Sequence, residues 1–222
     1  TRRLTDRLHE AGARVAAQLI LSYFVILKDD TPELVGPSPV VNRLFRTAPR
    51  ELTLDEIHLI VCEFGRAARR ARDGGCDAVE VLVAAGYILN RFLSPISNAR
   101  TDAYGGSPEN RMRIILDVVD RIRAEAGTDF PVICRLNVDE QMPGGLTVTD
   151  AKPVLEALER HGVALINTYT GWHESPIPTV APSLPKGAFA NLSEQIKASC
   201  SLPVIASNRI NDPATAEAIL PR

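Results

Sequence analysis

The chain has 222 residues, 25 Lys and Arg against 27 Asp and Glu, and a formal net charge of −2. Its length holds one large α/β core, since barrels of that class run to about 250 residues as a single domain. The near balance of charge argues against nucleic acid or an anionic membrane as main partner, and no apolar run reaches the roughly 20 residues of a membrane span.

In chain order, residues 1–11 read as a helix already under way, with Leu4, Leu8 and Ala11 on one face. Residues 14–20 form the first β-like run. Residues 22–50 follow as an excursion with four prolines and no clear periodicity, a candidate lid or substrate-side loop. Thr53-Leu-Asp-Glu56 fits a capping box before a long helix that ends at Gly74-Gly75. The second run, residues 77–82, feeds a long loop at 86–111, rich in Asn, Arg, Asp and Tyr. Loops of that length inside a compact domain point to function. An amphipathic helix over 112–126 follows Ser107-Pro108. The third run is 131–136. A helix over 149–161 stops at Gly162, with Pro153 expected in or near its first turn. The fourth run, 163–168, leads to a helix over 190–199. The fifth run is 202–206, and Asn211-Asp212-Pro213 opens a last helix.

Strand and helix alternate, and the runs are apolar on both faces, which predicts parallel strands with right-handed crossovers. An open doubly wound sheet and a closed barrel compete. A dinucleotide-type sheet calls for a Gly-x-Gly-x-x-Gly turn after its first strand, and no run here has one. Polar residues instead mark every strand: Gln18, Tyr87, Arg135, Trp172-His173 and Asn208-Arg209. A site shared among many strand ends suits a (β/α)8 barrel. About five of its eight strands lie within this chain, and both ends look cut.

Several residues are candidates for chemistry. Tyr87, just past the second run, is either a proton donor or a buried phenol with a bonded hydroxyl. His173 lies beyond the fourth run, between an aromatic residue and a carboxylate, where a proton relay or a plain loop histidine both fit. His9, His58 and His161 sit on helices or at a helix end. Arg135 sits among Val, Ile, Cys and Leu, and a buried guanidinium needs a partner. That partner is either a structural carboxylate or the electron-rich edge of a ring. Gln18 poses the same question. Arg100, Asp102, Glu109, Asn110 and Arg111 are expected to pin the long loop as a scaffold. Cys62, Cys76, Cys134 and Cys200 are scattered, which predicts free thiols, buried at Cys62 and Cys134, no metal site, and a reducing, cytoplasmic location.

Asn98-Ala-Arg-Thr-Asp-Ala-Tyr-Gly-Gly-Ser-Pro-Glu-Asn-Arg111, preceded by Gly86-Tyr87 and Phe92-Leu93, resembles the Old Yellow Enzyme superfamily of FMN-dependent reductases. Ile166-Asn-Thr-Tyr-Thr-Gly-Trp-His-Glu-Ser-Pro-Ile-Pro-Thr179, Pro185-Lys-Gly-Ala-Phe189 and Ser207-Asn-Arg-Ile-Asn-Asp-Pro213 are similar to its bacterial NADPH-dependent 2,4-dienoyl-CoA reductase branch. The resemblance implies that residues 1–222 are an FMN-binding barrel domain, incomplete at both ends, from the helix before the third barrel strand to the helix after the seventh. It implies FMN held by Gln18, Arg135 and Arg209, with Tyr87 as proton donor and His173 as its acid–base partner. It implies NADPH or NADH as reductant and an unsaturated acyl-CoA or enone as substrate. The branch's iron–sulfur cluster and FAD belong to C-terminal domains outside this chain.

The sequence also departs from that pattern. Leu82 and Ala85 occupy positions where many members carry a His-x-x-His or His-x-x-Asn pair. A Gln-x-x-His-x-Gly-Arg segment is replaced by Gln18-Leu-Ile-Leu-Ser-Tyr-Phe24, and Ile96 stands where an Arg can assist substrate binding. Two other readings stay open: an ene-reductase or NADH oxidase-like flavoenzyme, and a non-catalytic partial barrel acting through assembly. Self-association through exposed barrel edges is expected.

Overall fold

The computed structural model describes residues 1–26, 32–43 and 46–220. Five parallel strands form the central sheet in sequential order: β1 (Ala16–Leu19), β5 (Ala78–Val83), β6 (Val132–Asp139), β7 (Leu165–Thr170) and β8 (Val204–Ile205). Sequential order with a helix after each strand is the topology of a (β/α)8 barrel wall, and among the described residues no strand returns to the opposite edge as a doubly wound sheet demands.

The outer face of the wall is the core. Val79, Val81, Val83, Val132, Cys134, Leu136 and Ile166 are all fully buried there. They pack with α2 (Leu54–Asp73), α4 (Pro108–Ala126) and α5 (Val148–Arg160). Helix α2 starts where predicted: Thr53 Oγ1 accepts from Glu56 N at 3.3 Å, and Glu56 returns a carboxylate to Thr53 N at 2.9 Å. Its buried stripe of Ile57, Ile60, Phe64, Ala68 and Ala71 has helical spacing and joins Ile114, Ile115, Val118, Val119 and Ile122 of α4. The helices α1 (Arg2–Glu10), α6 (Ala190–Lys197) and α7 (Pro213–Ile219) also fall close to their predicted positions. Pro153 sits inside α5 just beyond its first turn, near it as expected. Cys62 is a correction: it is only half-buried, whereas Cys134 is fully buried.

The excursion at 22–50 differs from expectation. It holds β2 (Phe24–Ile26), β3 (Pro32–Gly36) and β4 (Arg50–Glu51), a small second sheet in which β3 pairs antiparallel with β2 and parallel with β4. Strands this short carry too few residues for a period of two to show. The remainder of that candidate lid, 27–31 and 44–45, lies outside the described residues. The 86–111 loop also contains a short helix, α3 (Ile88–Leu93). As expected, Arg100 pins it: its guanidinium pairs with Asp102 at 2.6 Å and donates to Leu52 O at 2.7 Å and Pro37 O at 3.0 Å.

Candidate active site

The concave face of the wall is polar where the convex face is apolar. Side chains alternate across a strand, so residues one position from the buried valines point inward. Gln18 of β1 donates to Glu80 Oε1 at 2.6 Å, and Asn167 of β7 reaches across β6 to donate to Glu80 Oε2 at 2.7 Å. Arg135 lies between them in sequence register, level with Asn167 and Leu82. Its guanidinium sits 5.2 Å from the centre of the Tyr169 ring. Arg135 Nε and Asn167 Oδ1 are buried and have no hydrogen-bond partner among the described residues. An orphaned donor and an orphaned acceptor on one concave face fit a ligand with a heteroatom-rich planar edge, and a flavin's pyrimidine ring has that chemistry. The structural-carboxylate alternative for Arg135 is not met, because no acidic group pairs with it among the described residues.

Above this face, at the C-terminal ends of the strands, Tyr87 and His173 meet. Their rings lie 5.0 Å apart and edge-on, with 87° between planes. Backbone geometry brings them together: Ala85 bridges Trp172 across the strand ends, and His173 N donates to Ala85 O at 3.3 Å. Ala85 (φ 59°) and Gly86 (φ 82°) both adopt the left-handed region. A Cβ on Gly86 would come within 2.6 Å of Trp172 Cε2, so position 86 tolerates no side chain without moving the indole.

A buried polar network fixes both loops. Asn90 of α3 accepts from Gly86 N at 2.8 Å and donates to Glu140 Oε1 at 2.9 Å. Asn137, at a bulge in β6, donates to Asn90 Oδ1 at 3.1 Å and to Gly171 O at 2.7 Å. Glu140 also accepts from Ser94 Oγ at 2.8 Å and Leu146 N at 2.9 Å. Burial pushes the Glu140 carboxyl up to about 7, against the lowering effect of these donors. Asn90, Asn137 and Glu140 are fully buried, and they hold the residues just before Tyr87 and just before Trp172-His173.

Tyr23 is the residue that sequence reasoning missed. It is buried, its hydroxyl lies 2.9 Å from His173 Nδ1, and its ring centre is 5.2 Å from that of Tyr87. It stands inside the segment already marked as departing from the family pattern, which was the available signal. Glu80 was equally legible as a carboxylate inside an apolar run. Burial raises the Tyr23 phenol well above its usual range. The same surroundings push His173 below its usual value, opposed by the Glu174 carboxylate. Of the other predicted residues, Gln18 joins the concave face, whereas Arg209 donates to the backbone carbonyls of Leu184 at 2.9 Å and Pro182 at 3.4 Å. Among the described residues no helix is long and apolar enough to cross a membrane, and no group of three or more His, Cys, Asp and Glu could hold a metal ion.

Comparison with known proteins agrees with this architecture. The chain is 43% identical over 221 residues to a metal reductase of Desulforamulus reducens, covering 99% of this chain and 33% of that protein. It is 36% identical to an NADH oxidase of Thermoanaerobacter brockii, covering 98% of this chain and 34% of the relative. A structure of 2-naphthoyl-CoA reductase with 2-naphthoyl-CoA superposes with a TM-score of 0.90 at 29% identity, over 99% of this chain and 36% of that one. The chain therefore spans about a third of the length of the relatives it matches. The family model that covers residues 1–222 is that of the NADH:flavin oxidoreductase / NADH oxidase family, the FMN-barrel family of the Old Yellow Enzyme superfamily, and the chain belongs to it.

Proposed function

We propose that this chain carries the FMN site of an NAD(P)H-dependent oxidoreductase that reduces a conjugated C=C bond of an unsaturated thioester, in the manner of a 2,4-dienoyl-CoA reductase. The observation that supports it most is the Tyr87 and His173 pair, set 5.0 Å apart at the rim of a polar concave face. Gln18 and Arg135 are the residues that hold FMN on that face, through the orphaned Arg135 Nε above all. Arg209 is assigned there only by resemblance; its own contacts anchor the loop around Leu184. When bound, FMN supplies hydride transfer.

The protein's own share is proton management. Tyr87 donates from its hydroxyl to the substrate carbon next to the carbonyl. His173, whose pKa desolvation lowers, relays a solvent proton to the resulting phenolate, taking up a proton at one ring nitrogen as it gives one up from the other, so that the ring ends neutral. The network of Asn90, Asn137 and Glu140 holds both loops so that the two rings keep their spacing. The 2-naphthoyl-CoA complex of the structural relative supports a thioester as substrate class. The relatives named NADH oxidase and metal reductase favour a second reading, in which the same site passes electrons to another acceptor.

Titration of the purified 222-residue chain with FMN, followed by flavin fluorescence, tests the reading. Saturable quenching is expected. With flavin loaded, Tyr87→Phe and His173→Ala are expected to slow turnover of a dienoyl thioester roughly 100-fold or more, leaving flavin reduction by NADPH intact. An unquenched titration removes the enzyme assignment from this chain. Turnover of simple enones alone selects the second reading.

A further inference from the structure

The structure assigns to Tyr23 a role that neither the family match nor the sequence pattern supplies. We propose that Tyr23 is a positioning residue whose hydroxyl donates to His173 Nδ1, so that the exchangeable proton of the neutral imidazole sits on Nε2. The idea deepens the proposed function, since it specifies which nitrogen of His173 serves Tyr87.

The Tyr23 hydroxyl has one proton to give. Tyr23 Oη has two described acceptors in reach, His173 Nδ1 at 2.9 Å and Ala85 O at 3.3 Å. Ala85 O already accepts the His173 backbone N–H at 3.3 Å. The shorter contact, to a nitrogen lone pair, is the better acceptor for the phenol. If the proton lay on Nδ1 instead, Tyr23 would accept there, and among the described residues its own proton would go to the longer, shared carbonyl.

The phenol is also held still. Its ring packs 5.2 Å from Tyr87 and 6.1 Å from His173, with the buried Arg91 guanidinium 5.9 Å from its centre. Arg91 in turn sits 5.8 Å from the Trp172 ring and pairs with Glu174 at 3.6 Å. Among the described residues, the charged and titratable groups around His173 are Glu174 on its own loop, Tyr87 and Arg91 beyond β5, and Tyr23 beyond β1. A hydroxyl locked by such packing loses little entropy on bonding, and it selects a tautomer as second-shell partners of imidazole do.

The donor direction has a sign that can be measured. A donor to the neutral ring favours the neutral form and lowers the imidazole pKa; an acceptor from Nδ1–H favours the charged form and raises it. Long-range 1H–15N correlation spectra of the flavin-free 222-residue chain, labelled at histidine, read both tautomer and titration. His173→Ala identifies the His173 signals. The expected result in the wild type is an unprotonated Nδ1 and a protonated Nε2. Tyr23→Phe keeps the ring and removes the hydroxyl, and is expected to raise the His173 pKa by up to about one pH unit. Tyr87→Phe keeps the ring that lies edge-on to His173 and leaves the Tyr23 hydroxyl in place, so it is expected to leave the tautomer unchanged.

A proton on Nδ1 in the wild type would overturn the proposal, as would a Tyr23→Phe titration that is unmoved or moves down. If Tyr23→Phe does not fold, the wild-type spectrum decides alone. No flavin is present, so failure here is distinct from failure of the FMN titration.

Discussion

On β6, Val132, Cys134 and Leu136 are fully buried against the helices, whereas Ile133 and Arg135, one residue away on the other side, keep partial exposure on the concave face. The same contrast runs along β5, where Val79, Val81 and Val83 alternate with Glu80. Neighbouring positions on one strand thus meet different demands. The convex face stabilises through close-packed apolar contact, where each lost methylene costs free energy. The concave face carries an acid, an amide pair and a guanidinium with unfilled hydrogen-bonding capacity. If the division is real, mutations on the first face should act on stability and mutations on the second on binding.

The largest effect is expected on the convex face. Leu136→Ala removes a fully buried side chain from the middle of the core cluster. It should cost about 2–5 kcal/mol of unfolding free energy, read as a lowered urea midpoint with an unchanged slope. A loss under about 1 kcal/mol would mean that the outer face packs loosely, and the contrast would lose its first half.

Glu140 belongs to neither face but to the rim that joins them. Glu140→Gln places an amide N–H₂ among donors, since Asn90, Ser94 and Leu146 all donate to the native carboxylate. A cost of about 1–3 kcal/mol is expected. The pH dependence sharpens the test. With its folded pKa raised to about 7, the native carboxyl holds its proton more tightly than the unfolded one. Its stabilising effect is complete below the ordinary value near 4.5 and is lost as pH rises through about 7. Wild-type stability should therefore fall over that window, and the slope should flatten in Glu140→Gln. An equal slope in both proteins would assign the titration elsewhere.

Gly86→Ala should cost less, about 1–2 kcal/mol for a left-handed Ala, yet disturb the rim. The new Cβ would push on Trp172, 2.6 Å away, and shift the loop that carries His173. Thioester turnover is expected to drop while FMN affinity stays within about twofold, because the concave face is untouched. A matching loss of FMN binding would show that rim and concave face move together.

How much of this was legible follows from the range of the interactions. The five parallel strands and the capped helices announce themselves locally, through apolar runs and through boxes such as Thr53-Leu-Asp-Glu56. Arg135 and Gln18 were visible because a polar residue inside an apolar strand contradicts its surroundings. Tyr23 was only faintly so: its one local signal was its place in a segment that departs from the family pattern, and its partner His173 is 150 residues away. The rim network was hidden for the same reason: Asn90 and Glu140 are 50 residues apart, and each alone is an ordinary polar residue. Long-range polar pairs leave no periodic trace, whereas burial does.

Arg135→Met should have the smallest effect on stability and decides the most about function. The methionine keeps an unbranched stem and a sulfur that packs well on an aromatic ring, so the contact with Tyr169 survives. The guanidinium it removes has no hydrogen bond among the described residues, so no partner is stranded. Unfolding free energy should therefore stay within about 0.5 kcal/mol of wild type. FMN affinity should fall roughly 10- to 100-fold, the loss of a charge-assisted hydrogen bond in a desolvated site. A destabilisation of about 2 kcal/mol or more would return Arg135 to a scaffold role. Unchanged affinity with unchanged stability would leave its unfilled Nε without a ligand, and the concave face would then need an occupant other than a flavin.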